Sequence, residues 1–213
     1  LAVSPALASS AMCLAASGLS VFSLRTPYTT ARPVESFGTT NLSMVITRAG
    51  SDRVHEFAFR LAERRKARGK PGRVTCVDKA NVLSSMAFFN KIFNERAACH
   101  PDIQRDHCYV DAMAMNLVKR PWDYDVVATE NQFGDILSDL AGGLIGGLGM
   151  SPSGDIGDKH ALFQPSHGTA PDIAGQGKAN PIATILSSAM MLDWLAERSG
   201  QEALSAAAHR IEG

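Results

Sequence analysis

Two aspartates, Asp135 and Asp139, stand four residues apart in "ENQFGDILSDLAGGLIGGLGM" (130 to 150), a run that is otherwise almost wholly apolar or glycine. On a helix, positions four apart share one face, with Cβ atoms about 6 Å from each other. If the segment is buried, as its composition suggests, two such carboxylates repel each other and lose hydration, so a cation is expected between them. Mg²⁺ or Mn²⁺ suits the place, because a hard divalent ion takes oxygen ligands, keeps waters, and is held by a few carboxylates together with a substrate's own oxygens. The alternative is that one aspartate faces solvent or caps a neighbouring helix. Asp111 adds a third acid at the end of the strand-like "HCYV", and "CVDKAN" places Asp78, Lys79 and Asn81 at another strand end. A lysine beside a divalent ion and low-dielectric walls holds its proton less tightly, which suits it to act as a general base toward a hydroxyl. A lysine on its own is more often a surface residue.

A second polar cluster lies in "PSHGTAPDIAGQGKANP" (165 to 181), where Gly168, Gly175 and Gly177 alternate with Pro165, Pro171 and Pro181, and with His167, Asp172 and Asn180. Glycines let backbone N–H groups approach a phosphate, prolines set the course of the loop, and a carboxylate can accept from both hydroxyls of an adenosine ribose. The set suits a nucleotide cofactor. Neither this loop nor "GGLIGGLG" matches GxGxxG, so a Rossmann domain is not expected. The glycine run 142 to 149 reads equally well as helix packing and a turn, and His167 alone reads as a structural hydrogen bonder.

Holding these residues in place requires alternating strands and helices, and from Val45 onward the pattern is that of an α/β protein. Ser51 is placed to cap a helix with apolar positions Val54, Phe57, Ala58 and Leu61 and the basic end "ERRKARGK". "RVTCV" (73 to 77) reads as a buried strand, and 84 to 98 as a helix facing Met86, Phe89, Ile92 and Phe93 inward. "HCYV" and "YDVVA" are further strands, each followed at once by polar residues and a helix. Open α/β sheets bind ligands where strands end and helices begin, so the chemistry is expected there. The segment from the glycine run to about Asn180 reads as loop, followed by a helix opened by Pro181 and a last helix "QEALSAAAHRI".

The 213 residues suffice for one large domain or two small ones. Acidic and basic residues balance at 21 each, leaving no net positive field for nucleic acid or an anionic membrane surface. Cys13, Cys76, Cys99 and Cys108 form no CxxC pair, which points to reduced thiols and a cytoplasmic location. No stretch reaches the roughly 20 apolar residues of a membrane helix. Residues 1 to 44 are rich in Ser, Ala and Thr, with Arg25, Arg32 and Glu35 their only charges, and read as a poorly ordered segment. Their start resembles a signal peptide but carries neither an initiator Met nor a basic leader.

"TRAGSDRVHEFAF", "VTCVDKANVL", "DAMAMNLVKRP", "DVVATENQFGDILSDLAGGL" and "HGTAPDIAGQGKANPIATILSSAMML" together closely resemble the isopropylmalate and isocitrate dehydrogenase family, from about Met44 to Leu195. The resemblance implies an isopropylmalate dehydrogenase-like α/β fold, incomplete at its N-terminus, with a substrate and dimerisation part at 45 to 145 and a cofactor-side part at 146 to 213. It implies a metal-dependent enzyme that oxidises a 2-hydroxy acid with NAD or NADP and then releases carbon dioxide. Asp111, Asp135 and Asp139 correspond to the metal ligands, and Lys79 to the lysine that takes the C2 hydroxyl proton as hydride leaves for the nicotinamide. Lys79 and Asp111 would enter the site from a neighbouring subunit, implying a homodimer. Asn81 would lie near the nicotinamide, and His167, Gly168, Ala170, Asp172 and Asn180 would bind the adenosine. Asp172 and Ile173, in place of the Lys and Tyr pair of some NADP-using relatives, favour NAD, since a carboxylate welcomes a ribose diol and repels a 2′-phosphate.

The substrate-clamping arginines and the enol-protonating tyrosine of the family lie upstream of the matched region, and Arg25, Tyr28 and Arg32 sit in no corresponding motif. Gln164 replaces a glutamate common in relatives. Weak or no turnover is therefore expected of this chain alone, with 3-isopropylmalate the first substrate choice and isocitrate, homoisocitrate or tartrate the alternatives. The segment "GGLIGGLGMSPSGDIGD" looks closer to isocitrate and homoisocitrate members. A non-catalytic regulatory or dimerising subunit is the competing class.

Overall fold

The computed structural model of the protein describes residues 46–212, and 9–14 and 19–24 as backbone. Arg25, Tyr28, Arg32 and most of the segment expected to be poorly ordered lie outside the described residues. Strands β1 (Ser9–Leu14) and β2 (Leu19–Leu24) lead to helix α1 (Arg48–Ala67), followed by β3 (Arg73–Asp78), α2 (Ser84–Ala97), β4 (Gln104–Tyr109), α3 (Val110–Lys119), β5 (Val126–Glu130) and α4 (Asn131–Leu144). Then come β6 (Pro152–Ile156), β7 (Ala161–Pro165), α5 (Ile182–Ser199) and α6 (Glu202–Glu212). The strands form a mixed sheet in the order β4-β3-β5-β2-β1-β6-β7. β4, β3, β5 and β2 run parallel, whereas β1, β6 and β7 each pair antiparallel with their neighbours.

The strands alternate their side chains between the sheet faces, and each face has its own core. Val74, Cys76, Val126 and Ala128 pack with Val54, Ala58 and Phe59 of α1 and with Met86, Phe89 and Phe93 of α2. Val77 and Val127 point the other way, onto Met113 and Leu117 of α3 and Leu137 and Ala141 of α4. The connection through α2 carries the chain from β3 outward to β4, and that through α3 carries it back past β3 to β5. A reversal of direction puts right-handed crossovers on opposite faces, which is where these two helices lie. All four inward positions expected on α2 are buried.

Two local expectations are corrected, and the glycine run takes one of its two readings. Thr47, not Ser51, caps α1, its Oγ1 accepting from Gly50 N at 3.2 Å. Ser51 lies inside the first turn, buried, and its hydroxyl turns back to donate to Thr47 O at 2.9 Å, the bond a mid-helix serine makes when its cap position is already filled. The segment before Asn180 is not all loop, because β6 and β7 form a hairpin there. "PSGDI" shows no strand alternation and its strand character comes from its two neighbours. Its Gly154 admits the Phe163 ring so closely that a Cβ would meet Cδ1 at 3.0 Å. The glycine run, for which two readings were open, is helix end and turn: Gly147 N donates to Gly142 O at 2.9 Å, with Gly146 and Gly147 at φ 115 and 109.

Asp125, fully buried, ties the start of β3 to the end of α1. Its carboxylate accepts from Arg65 Nε at 2.6 Å, Gly72 N at 2.9 Å and Arg73 N at 3.3 Å. Removing one partner of a buried, fully bonded ion pair leaves the other charge uncompensated, so Asp125→Ala is expected to lower stability by about 3–5 kcal/mol. Urea unfolding measures this as a lower midpoint at unchanged slope.

His55 of α1 is enclosed by Phe89 and Phe93, ring centroids 4.2 and 5.3 Å away, with Nε2 3.2 Å from Phe89 O. Burial pushes its pKa down to about 4, against a smaller opposing effect of the Phe89 carbonyl. The unfolded chain takes up this proton near pH 6.5 and the folded chain only near pH 4. The stability of the buried neutral ring is therefore complete above the upper value and is lost as pH falls through that window, about 3 kcal/mol in full. Nearby His100 opposes it: burial disfavours its charge, but the carboxylates of Glu63 and Glu56 outweigh that and raise its pKa. In His55→Phe, the loss of stability between about pH 7 and about pH 4.5 should be smaller than in the parent by about 2 kcal/mol, as read from unfolding midpoints across the range.

Candidate active site

Parallel β3, β4 and β5 release their chains on one edge of the sheet, and the register aligns Asp78 with Tyr109 and Val77 with Thr129. β3 is followed by a helix on one face and β4 and β5 by helices on the other, so the end of β3 lies at a switch point of the kind where open α/β sheets bind ligands. Lys79 stands at that end. Its Nζ donates to Asp111 Oδ1 at 2.5 Å and lies 6.0 Å from the centre of the Tyr109 ring. Asp111 occupies the first turn of α3, where backbone N–H groups and the helix dipole favour a negative charge. The hydrogen bond from Lys79 first, and backbone N–H groups after it, hold the Asp111 carboxyl below the usual carboxylate range.

At the end of β5, Glu130 caps α4, its carboxylate accepting from Gln132 N at 2.9 Å and Phe133 N at 2.7 Å. Burial raises its pKa, with these two backbone donors opposing. Asp135 and Asp139 are exposed, which corrects the expectation of a buried pair. The inward face of α4 is Gly134, Leu137, Ala141 and Gly142, small or apolar residues that set the helix close to the sheet and leave both acids outside. Asn131 Nδ2 donates to Asp135 Oδ2 at 3.1 Å. Its Oδ1 is buried and has no donor.

Among the described residues, no three His, Cys, Asp or Glu side chains gather into a metal site within the chain. Lys79 and Asp111 are brought together, and Asp135 and Asp139 follow the neighbouring strand on α4. A divalent ion fits the chemistry of these donors, because all three acids are hard oxygen ligands.

Asn81 is exposed in the turn after Lys79. The loop after β7 presents Gly168, Ala170, Asp172 and Asn180 to solvent. His167 Nδ1 donates to Gly168 O at 2.8 Å. Ala170, a non-glycine residue, takes a left-handed φ of 42, and Gly175 and Gly177 turn the chain at φ 74 and 66. Asp172 is the middle residue of a short helical turn, Pro171–Ile173, and its backbone carbonyl accepts from Gln176 Nε2 at 2.7 Å. The Asn180 amide has structural work, with Oδ1 accepting from Ile182 N at 3.0 Å at the start of α5 and Nδ2 directed at Met150 Sδ. Gln164 sits in β7 opposite Ser153.

Glu130, Asn131 and His107 belong to no spacing motif of their own, although each stands within a few residues of a strand end. Position at the C-terminal end of a strand was the available signal; the partners were not.

The family model for isocitrate/isopropylmalate dehydrogenase matches residues 29–211, beginning upstream of the resemblance read from motifs. The chain is 49% identical over 175 residues to the 3-isopropylmalate/3-methylmalate dehydrogenase of Methanocaldococcus jannaschii, covering 82% of this chain and 53% of that one. It is 52% identical over 155 residues to the homoisocitrate dehydrogenase of the same organism, covering 72% of this chain and 43% of that one. The crystal structure of isocitrate dehydrogenase from Methylococcus capsulatus superposes with a TM-score of 0.73 at 40% identity, over 90% of this chain and 60% of that one. The chain thus spans about half the length of the curated relatives it matches. With its motifs, its parallel strand ends and a match over most of its length in agreement, the chain belongs to the isocitrate/isopropylmalate dehydrogenase family.

Proposed function

We propose that the chain serves the NAD-dependent, metal-requiring oxidative decarboxylation of a malate-type 2-hydroxy acid, with 3-isopropylmalate the first choice. The observation that carries this reading is Lys79 set against Asp111 at the outgoing edge of the parallel strands, with Asp135 and Asp139 on the helix after the adjacent strand. Lys79 would take the proton of the substrate's C2 hydroxyl, and a bound nicotinamide would supply the hydride acceptor. Asp135 and Asp139, with Asp111 of a second copy, would hold Mg²⁺ or Mn²⁺, which would supply Lewis-acid stabilisation of the negative charge that develops as the carboxylate departs. Asn81 would lie toward the nicotinamide, and His167, Gly168, Ala170, Asp172 and Asn180 would take the adenosine. The exposed Asp172 favours NAD by its charge.

A homodimer with shared sites fits the surface of the chain. α3 exposes Met115 and Val118, and α4 exposes Ile136 and Leu144, an apolar face beside the acids that a second copy would cover. Residues 45 to 145 are the substrate and dimer-forming part and 146 to 213 the cofactor side. A cytoplasmic setting agrees with the free thiols Cys76, Cys99 and Cys108; among the described residues, no helix is long and apolar enough to cross a membrane. Isocitrate and homoisocitrate are the alternative substrates, favoured by the identities to those enzymes.

The test mixes the chain with a complete homologue whose own catalytic lysine has been replaced, and follows NADH absorbance with Mn²⁺ and each candidate acid. Activity should appear with NAD above NADP, and Lys79→Ala should lower it by about 10²–10⁴. Activity indifferent to Lys79 would favour the regulatory or dimerising subunit instead. In a separate titration, Asp135→Asn should weaken Mn²⁺ binding at least ~10-fold, and unchanged affinity would remove the acid from the site.

A further inference from the structure

The residue before Lys79 has no part in that mechanism, yet it is the most heavily bonded acid at the strand ends. Asp78 is wholly buried. Its Oδ1 accepts from Ala80 N at 2.9 Å, and its Oδ2 from Asn90 Nδ2 at 2.8 Å, His107 Nε2 at 2.9 Å and, more weakly, the Cys76 thiol at 3.8 Å. These donors come from the turn that carries Lys79 and Asn81, from α2, from β4 and from β3 itself. A carboxylate withdrawn from water is tolerable only with such a complete set, and the loss of one donor leaves a costly vacancy.

The bonds run between the two strands whose ends hold Lys79 and Asp111. Asp78 is paired in register with Tyr109, and His107 with Cys76, so the Asp78–His107 bond is a diagonal brace across β3 and β4 just before both chains leave the sheet. His107 also meets Tyr109 edge to face, with centroids 5.0 Å apart, and the Tyr109 ring is the one that flanks the Lys79 ammonium. The same carboxylate closes the turn after Lys79 through Ala80 N. Without this brace, the Lys79 stem and the first turn of α3 would be held by backbone pairing, the Tyr109 ring and their own exposed ion pair.

We propose that Asp78 and His107 are positioning residues that fix Lys79 against Asp111, Asp78 by anchoring the Lys79 turn and His107 by tying it to β4 and supporting Tyr109. The proposal rests on the reading of Lys79 as the base. Its test reports the position of the side chain whether or not the chain turns over, so the two readings fail separately.

The experiment is amine acylation of the whole 213-residue chain, with the rate at each lysine followed by mass spectrometry. Lys159 and Lys178, both exposed and remote in sequence from the brace, serve as references. In Asp78→Asn, which sets an amide N–H₂ against donors, and in His107→Ala, Lys79 should label about 10-fold faster while the reference lysines keep their rates, as expected for the loss of a charge-assisted hydrogen bond. His107→Gln, which returns an N–H donor to Asp78, should restore most of the protection. Unchanged Lys79 labelling in both variants would overturn the proposal. So would equal acceleration at all three lysines, which would make the pair a requirement of the fold, or His107→Gln behaving as His107→Ala does.

Discussion

Parallel strands cannot be joined by tight turns, so three of them side by side must send their outgoing chains from one edge and take them back through helices. In this protein β3 lies between β4 and β5, and the rest of the candidate site depends on that placement. Lys79 leaves β3, Asp111 follows β4, and the acids of α4 follow β5. Residues separated by more than 50 positions in the sequence thereby share one edge without any loop having to fold back over the surface.

Both ends of β3 are held by buried carboxylates with full sets of donors. Asp125 receives Arg65 and the amides of Gly72 and Arg73 where the strand begins, and Asp78 receives His107, Asn90 and Ala80 N where it stops. Burying charge lowers stability unless every bond is made, and for that reason each acid fixes several elements at once. The pair at the surface behaves differently. The Lys79–Asp111 bond is short but more open to water, and its worth lies in placement more than in stability.

Glycine and alanine on the inner face of α4 allow the helix to approach the sheet, and the same periodicity turns Asp135 and Asp139 outward. Acids and an apolar face thus share the exterior of the α3 and α4 layer. That arrangement suits a surface completed by another molecule, and it explains why a segment can look buried in sequence and yet carry two exposed aspartates.

The amino-acid sequence by itself determined the order of elements from α1 to α4, the inward faces of α2, the polar residues that end each strand, and the family. All of these rest on short-range periodicity and ordered motifs, which a linear reading can follow. The hairpin of β6 and β7 escaped it because "PSGDI" becomes a strand only through its neighbours, and Ser51 misled because Thr47 offered the same cap a turn earlier. The outward aim of Asp135 and Asp139, the Lys79–Asp111 contact, and the partners of Asp78 and Asp125 were decided by tertiary structure alone. Which donors meet a buried carboxylate depends on the register of strands and the faces of helices distant in sequence, and no spacing along the chain encodes that.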